Sequence, residues 1–172
     1  SAIAGRSEPQ DVIITPDRRV LVTSKLDNRV VEFNVAGGFV RNLVASGAGG
    51  LVWPAAMTIA PWGNLLVASN GSHSVLEYDI NSGAFVRAIV PSGSGGLSTP
   101  FGVAFKPGGN LFVTSGTGQV LEFDRFNGAF VRIFVTAAGN GGLLSPRGIL
   151  WLPSGNLLVA SHDTDQLLEY NG

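Results

Sequence analysis

An all-β fold assembled from repeated units of four short strands is what this sequence predicts, and three observations carry the expectation. Prolines recur at near-constant spacing, at Pro9, Pro54, Pro100 and Pro146, and each is followed seven residues on by another, at Pro16, Pro61, Pro107 and Pro153. Behind each second proline comes an apolar, β-branched hexad: Arg19–Ser24, Asn64–Ser69, Asn110–Ser115 and Asn156–Ser161. Glycine is abundant, at 24 residues, and long runs of strong helix formers are missing.

The elements follow in order within each unit. Strand a is the apolar stretch between the two prolines, as in Gly102–Lys106. A Pro-x-Gly-Asn turn such as Pro61–Asn64 leads to strand b, the hexad. After a polar loop comes strand c: Val30–Phe33, Val75–Tyr78, Val120–Phe123 and Leu167–Tyr170. Asn-x-Gly or Asn-Gly turns, at Asn81–Gly83 and Asn127–Gly128, permit the positive φ of a tight hairpin and lead to strand d. Strand d opens with Phe-Val-Arg at Phe39–Arg41, Phe85–Arg87 and Phe130–Arg132, and a Gly-Gly-Leu linker closes the unit at Gly49–Leu51, Gly95–Leu97 and Gly141–Leu143.

Four antiparallel strands at a period of 45–46 residues are the signature of a β-propeller blade. One domain over 1–172 is expected, with units at about 9–53, 54–99, 100–145 and 146–172. Three blades are complete and the fourth has three strands, which leaves the edge Leu167–Tyr170 to be covered. Either Ser1–Gly5 clasps that edge within the chain, or a second copy covers it in a homodimer. Hairpin symmetry sets Glu77 opposite Arg87, Glu122 opposite Arg132, and Glu32 near Arg41. On solvated outer strands such pairs are expected to couple by about 0.5 kcal/mol.

Composition narrows the function classes. Eleven Lys and Arg against twelve Asp and Glu leave a net charge of −1, without the basic excess of a nucleic-acid reader. No apolar run reaches the length of a membrane-crossing helix, so neither nucleic acid nor membrane is an expected partner. With no cysteine there is no disulfide and no thiolate nucleophile. The compartment is left open, with an extracytoplasmic or secreted location favoured.

The repeat resembles the NHL-type propeller repeat, related in blade pattern to streptogramin lyases and gluconolactonase-like hydrolases. Pro61-x-Gly-Asn-Leu-Leu-Val-Ala-Ser69, then Asn70-Gly-Ser-His73, Val75 and Tyr78, carry the resemblance, as does Asp27-Asn28-Arg29-Val30. Ser69, Ser115 and Ser161 depart from it, standing where the family often has aspartate. The resemblance implies a propeller, usually of six or seven blades, and functions ranging from protein or RNA binding to lyase and lactonase chemistry.

Variable loops on a rigid repeat are the expected place for function, here the b–c loops and the d–a linkers on one face. Lys25, Asn70, Gly116 and His162 are equivalent positions in the b–c loops, as are Asn28, His73 and Asp165. Gln10, Ala55, Phe101 and Arg147 follow the first prolines and should rim a central opening, and Trp53 joins the face from a linker. The candidate binding set is Lys25, Asn28, Trp53, Asn70, His73, Phe101, Arg147, His162, Asp163 and Asp165. His73 and His162 suit general-base or metal-ligand roles, or serve as solvated loop residues. Asp163-Thr164-Asp165 begins like a calcium loop but lacks its remaining ligands, so neither metal nor cofactor is expected. The leading expectation is a non-enzymatic module for a protein, peptide or glycan ligand. The alternatives are a lyase or lactone hydrolase using the loop histidines, and a self-associating propeller fragment.

Overall fold

The computed structural model describes residues 8–137 and 141–172. It is a β-propeller of four antiparallel sheets. Blade 1 holds β1 (Pro9–Ile14), β2 (Val20–Ser24), β3 (Arg29–Phe33) and β4 (Phe39–Val44). Blade 2 holds β5 (Pro54–Ile59), β6 (Leu65–Ser69), β7 (Ser74–Tyr78) and β8 (Phe85–Val90). Blade 3 holds β9 (Val103–Phe105), β10 (Leu111–Ser115), β11 (Gln119–Phe123) and β12 (Phe130–Val135). Blade 4 holds three strands, β13 (Pro146–Trp151), β14 (Leu157–Ser161) and β15 (Gln166–Tyr170). In each sheet the strands lie in chain order, as short turns between successive strands require.

The core lies between the blades. Successive side chains of a strand point to opposite faces, so a strand apolar on both faces packs against both neighbours. Leu21 and Val30 of blade 1 meet Met57, Leu65 and Val67 of blade 2. The other face of blade 2, with Leu66 and Val75, meets Val103, Leu111 and Val113 of blade 3. Phe112 and Val120 then meet Trp151, Leu157 and Val159 of blade 4, where the Phe112 and Trp151 rings stand edge to face at 4.7 Å. The inner strands β1, β5, β9 and β13 pack successively side by side, whereas β13 and β1 are not closely packed on each other. Three blade junctions are thus filled and the side between blades 4 and 1 is not.

The hairpin register agrees with the sequence symmetry: Glu32 faces Arg41, Glu77 faces Arg87, and Glu122 faces Arg132. Register shifts flank each pair, so the hairpins are bulged and twisted rather than regular. The expected solvation of these pairs is corrected. The arginines are half exposed, but the Glu32, Glu77 and Glu122 side chains are only 6%, 2% and 11% accessible. Neighbouring blades enclose the carboxylates, and buried acceptors must find donors. Glu77 accepts from Arg87 Nε at 2.7 Å, Trp62 Nε1 at 2.6 Å and Asn64 Nδ2 at 2.8 Å. The arginines also reach onward to the next blade, Arg41 to the Asn81 carbonyl and Arg87 to the Phe126 carbonyl. The c–d turns are held by an acceptor ahead of the Asn-Gly signal: Asp79 Oδ1 takes the Asn81 and Ser82 N–H groups, and Asp124 Oδ1 those of Phe126 and Asn127.

Ser1–Gly5, the proposed clasp, lies outside the described residues. The β15 edge carries no fourth strand among those described.

Candidate functional site

The loop face is built on two latches that recur along the chain. The serine ending strand b clips the linker that leads into its own blade with both functions of its hydroxyl. Ser69 Oγ accepts from Val52 N at 3.0 Å and donates to Val52 O at 3.1 Å. Ser115 does the same to Ser98, and Ser161 to Leu144. A hydroxyl is donor and acceptor at once, which a carboxylate is not, so serine here closes a two-way bond. The second latch uses the equivalent loop residues Asn28 and His73. Both have left-handed backbone, with φ 52° and 56°. Asn28 Oδ1 accepts from Trp53 N at 2.8 Å, and His73 Nδ1 accepts from Thr99 N at 2.9 Å.

The residues so held, Trp53 and Thr99, stand immediately before the first proline of a unit. With Glu8 and Ser145 they share positive φ, from 41° to 56°. A following proline disfavours right-handed helical backbone, and the latches hold Trp53 and Thr99 in this strained alternative. The strain recurs in all four units, so it belongs to the architecture rather than to one site.

The predicted residues therefore separate by environment. Asn70 is buried, and its Nδ2 donates to the Pro100 carbonyl at 3.2 Å. Lys25 pairs with Glu8 at 2.6 Å. Asp165 is exposed with φ 53°. Trp53 is 48% exposed and presents its indole on the loop face. His162 Nδ1 lies 2.6 Å from Asp163 Oδ1, both half exposed, and Ser145 Oγ donates to the other Asp163 oxygen. The serine bond, then His162 and the nearby Arg147 charge, hold the Asp163 carboxyl below its ordinary range. Among the described residues no three His, Asp or Glu side chains gather as a metal-binding group.

Phe101 and Arg147 do come together. The inner strands open onto a pocket of about 200 Å³ lined by Gln10, Asp11, Ala55, Ala56, Phe101, Arg147 and Gly148. The Arg147 guanidinium lies over the Phe101 ring at 4.7 Å, and its buried Nε has no hydrogen-bond partner. Sequence reasoning overlooked Asp11. Its equivalents in the other units are Ala56, Gly102 and Gly148, so a single acid among small residues was the available signal. Asp11 Oδ2 accepts from Met57 N at 2.7 Å and Oδ1 from Val12 N at 2.9 Å. Burial pushes its carboxyl above the ordinary value, with those two N–H groups opposing the shift. Asp11 ties blade 1 to blade 2 where the Ala56 N–H bonds the Phe101 carbonyl between blades 2 and 3.

No family model matches the chain, and neither does any curated protein. Solved structures do resemble it in fold. A gluconolactonase-like protein superposes with TM-score 0.77 at 18% identity, over 96% of this chain and 60% of that one. A virginiamycin B lyase from Staphylococcus aureus gives 0.68 at 13% identity, over 96% and 56%. The computationally designed Ika4 protein gives 0.67 at 11% identity, over 99% and 95%. The chain thus spans little more than half the length of the lyase, and at these identities the likeness is one of fold alone.

Proposed function

We propose that the chain is a non-enzymatic binding module that takes a peptide segment of a protein ligand on its loop face, with a ligand carboxylate seated on Arg147. The observation that supports this reading is the pocket chemistry. The Arg147 guanidinium is stacked on the flat apolar face of Phe101, with the Gln10 amide at the same opening. A planar guanidinium binds a carboxylate through paired N–H donors, and Trp53 on the same face offers an aromatic contact. Of the two histidines, His73 has its Nδ1 lone pair committed to the Thr99 N–H. The test is titration of the protein, followed by NMR, with a pool of N-acetylated pentapeptides bearing either a free C-terminal carboxylate or an amide. The carboxylate pool should shift resonances around Phe101, and Arg147→Ala should weaken it about 10-fold or more, the worth of a charge-assisted hydrogen bond. Equal response to both pools would refute the reading.

A second reading, a lyase or lactone hydrolase, has one observation in its favour. His162 is held by Asp163 as a general base is held by an orienting carboxylate. Gluconolactone hydrolysis that disappears in His162→Ala, while the fold persists, would favour it over the binding module.

A further inference from the structure

We propose that the uncovered faces of blades 4 and 1 are the two halves of one blade junction, and that a second copy of this chain completes it, closing two four-bladed arcs into a ring of eight blades. At each internal junction a c-strand valine faces the following blade: Val30, Val75 and Val120 are 0% exposed. The equivalent residue of blade 4, Leu167, is 66% exposed, and Leu150 beside it is 60% exposed. They border a shallow apolar groove with Leu158 and Ala160. Blade 1 shows the opposite deficit. Met57 and Val103, which face the preceding blade, are buried, whereas their equivalent Val12 is 60% exposed and Ile14 is 68% exposed.

The turns give an independent sign of the missing predecessor. Gly83 and Gly128 sit so close to the preceding blade that a Cβ would lie 1.7 Å from the Leu43 and Ile89 carbonyl oxygens. Gly37, in the matching turn of blade 1, faces open space. Blade 1 is therefore shaped to receive a blade, and blade 4 to be received.

The occupant is set by this complementarity. The surface that fits blade 1 is the outgoing face of a blade, and blade 4 carries one unburied. β13 and β1 are not among the closely packed pairs of inner strands, so a second copy can offer each of them its complementary face. The contact is heterologous, and two such contacts around a two-fold axis close the assembly. Eight blades fall within the propeller range.

Light scattering on the 172-residue chain at micromolar concentration should give the mass of two 17.9 kDa chains. Ile14→Lys and Leu167→Lys each spoil one half of the junction at a residue exposed in the single chain, so circular dichroism should be unchanged and each variant alone should be monomeric. Mixed, they should form a heterodimer, because one supplies an intact blade 4 face and the other an intact blade 1 face. A monomeric parent chain overturns the proposal, as does a ladder of higher masses. Dimerisation of Ile14→Lys alone also overturns it, since it would mean symmetric pairing of β15 edges.

Discussion

Replacing Glu77 by glutamine removes one charge and almost no volume. The wild-type carboxylate is 2% exposed and takes three hydrogen bonds, two on Oε1 and one on Oε2. A glutamine can keep its oxygen towards Trp62 and Asn64, but its amide then faces Arg87 donor to donor. Turning the amide over restores Arg87 and deprives the other two. The cost is at least one charge-assisted bond, about 2–3 kcal/mol, moderated because Arg87 is 43% exposed and retains the Phe126 carbonyl. For a domain of this size that is roughly 4–12 °C in Tm. Glu169 is the internal control. It occupies the same position in blade 4, accepts from Asn156 Nδ2 at 2.7 Å, and is exposed with no strand d to supply an arginine. Glu169→Gln should change stability by less than about 0.5 kcal/mol. Urea unfolding of both variants, with a Glu77→Gln/Arg87→Met cycle, measures the difference, and the cycle should show coupling of about 1–2 kcal/mol. The pH dependence follows in sign. Burial, the largest influence, pushes the Glu77 carboxyl up, yet the Arg87, Asn64 and Trp62 bonds together carry it below its ordinary 4.5. Its contribution is therefore complete above 4.5 and lost as pH falls through the lower folded value, and Glu77→Gln should flatten that loss. Equal unfolding midpoints for the two variants, or coupling indistinguishable from zero, would refute the reasoning.

The two histidines should separate in the same assay. His73→Ala orphans the Thr99 N–H and should cost about 1–2 kcal/mol, whereas His162→Ala, half exposed, should stay within about 0.5 kcal/mol. Equal losses would place both in the same kind of environment. Gly83→Ala puts a Cβ against the Leu43 carbonyl at φ 75° and should cost about 3 kcal/mol or more, while Gly63→Ala, with open space at φ 94°, meets only backbone strain of about 1–2 kcal/mol. A reversed order in thermal unfolding would show that the second blade's turn is not seated on the first.

The blade pattern was legible because it depends on local physics repeated along the chain. Turn residues that permit positive φ and hexads apolar on both faces mark every strand. The Glu–Arg register follows from symmetry about Ser82 and Asn127 without knowledge of the neighbouring blade. Trp53, Phe101 and Arg147 were also readable as loop-face residues, since their positions after strand d or the first proline place them there. The role of His73 was not readable. Its partner Thr99 is 26 residues away, and only the packing of successive blades makes that N–H its donor. Asp11 was missed for the same reason, because its carboxylate is buried by a strand of the next blade.

What the sequence alone determined is the repeat, the strands, their register and the face that bears the variable loops, all consequences of contacts within one unit. The tertiary structure decided what lies between units. It buried Glu32, Glu77 and Glu122 that a single hairpin would leave in water, it turned Ser69, Ser115 and Ser161 into clips for the linker that leads into their own blade, and it left Val12 and Leu167 bare where their equivalents are covered. Burial depends on which blade stands opposite, and identical sequence positions acquire different environments once the row of blades has a first and a last member.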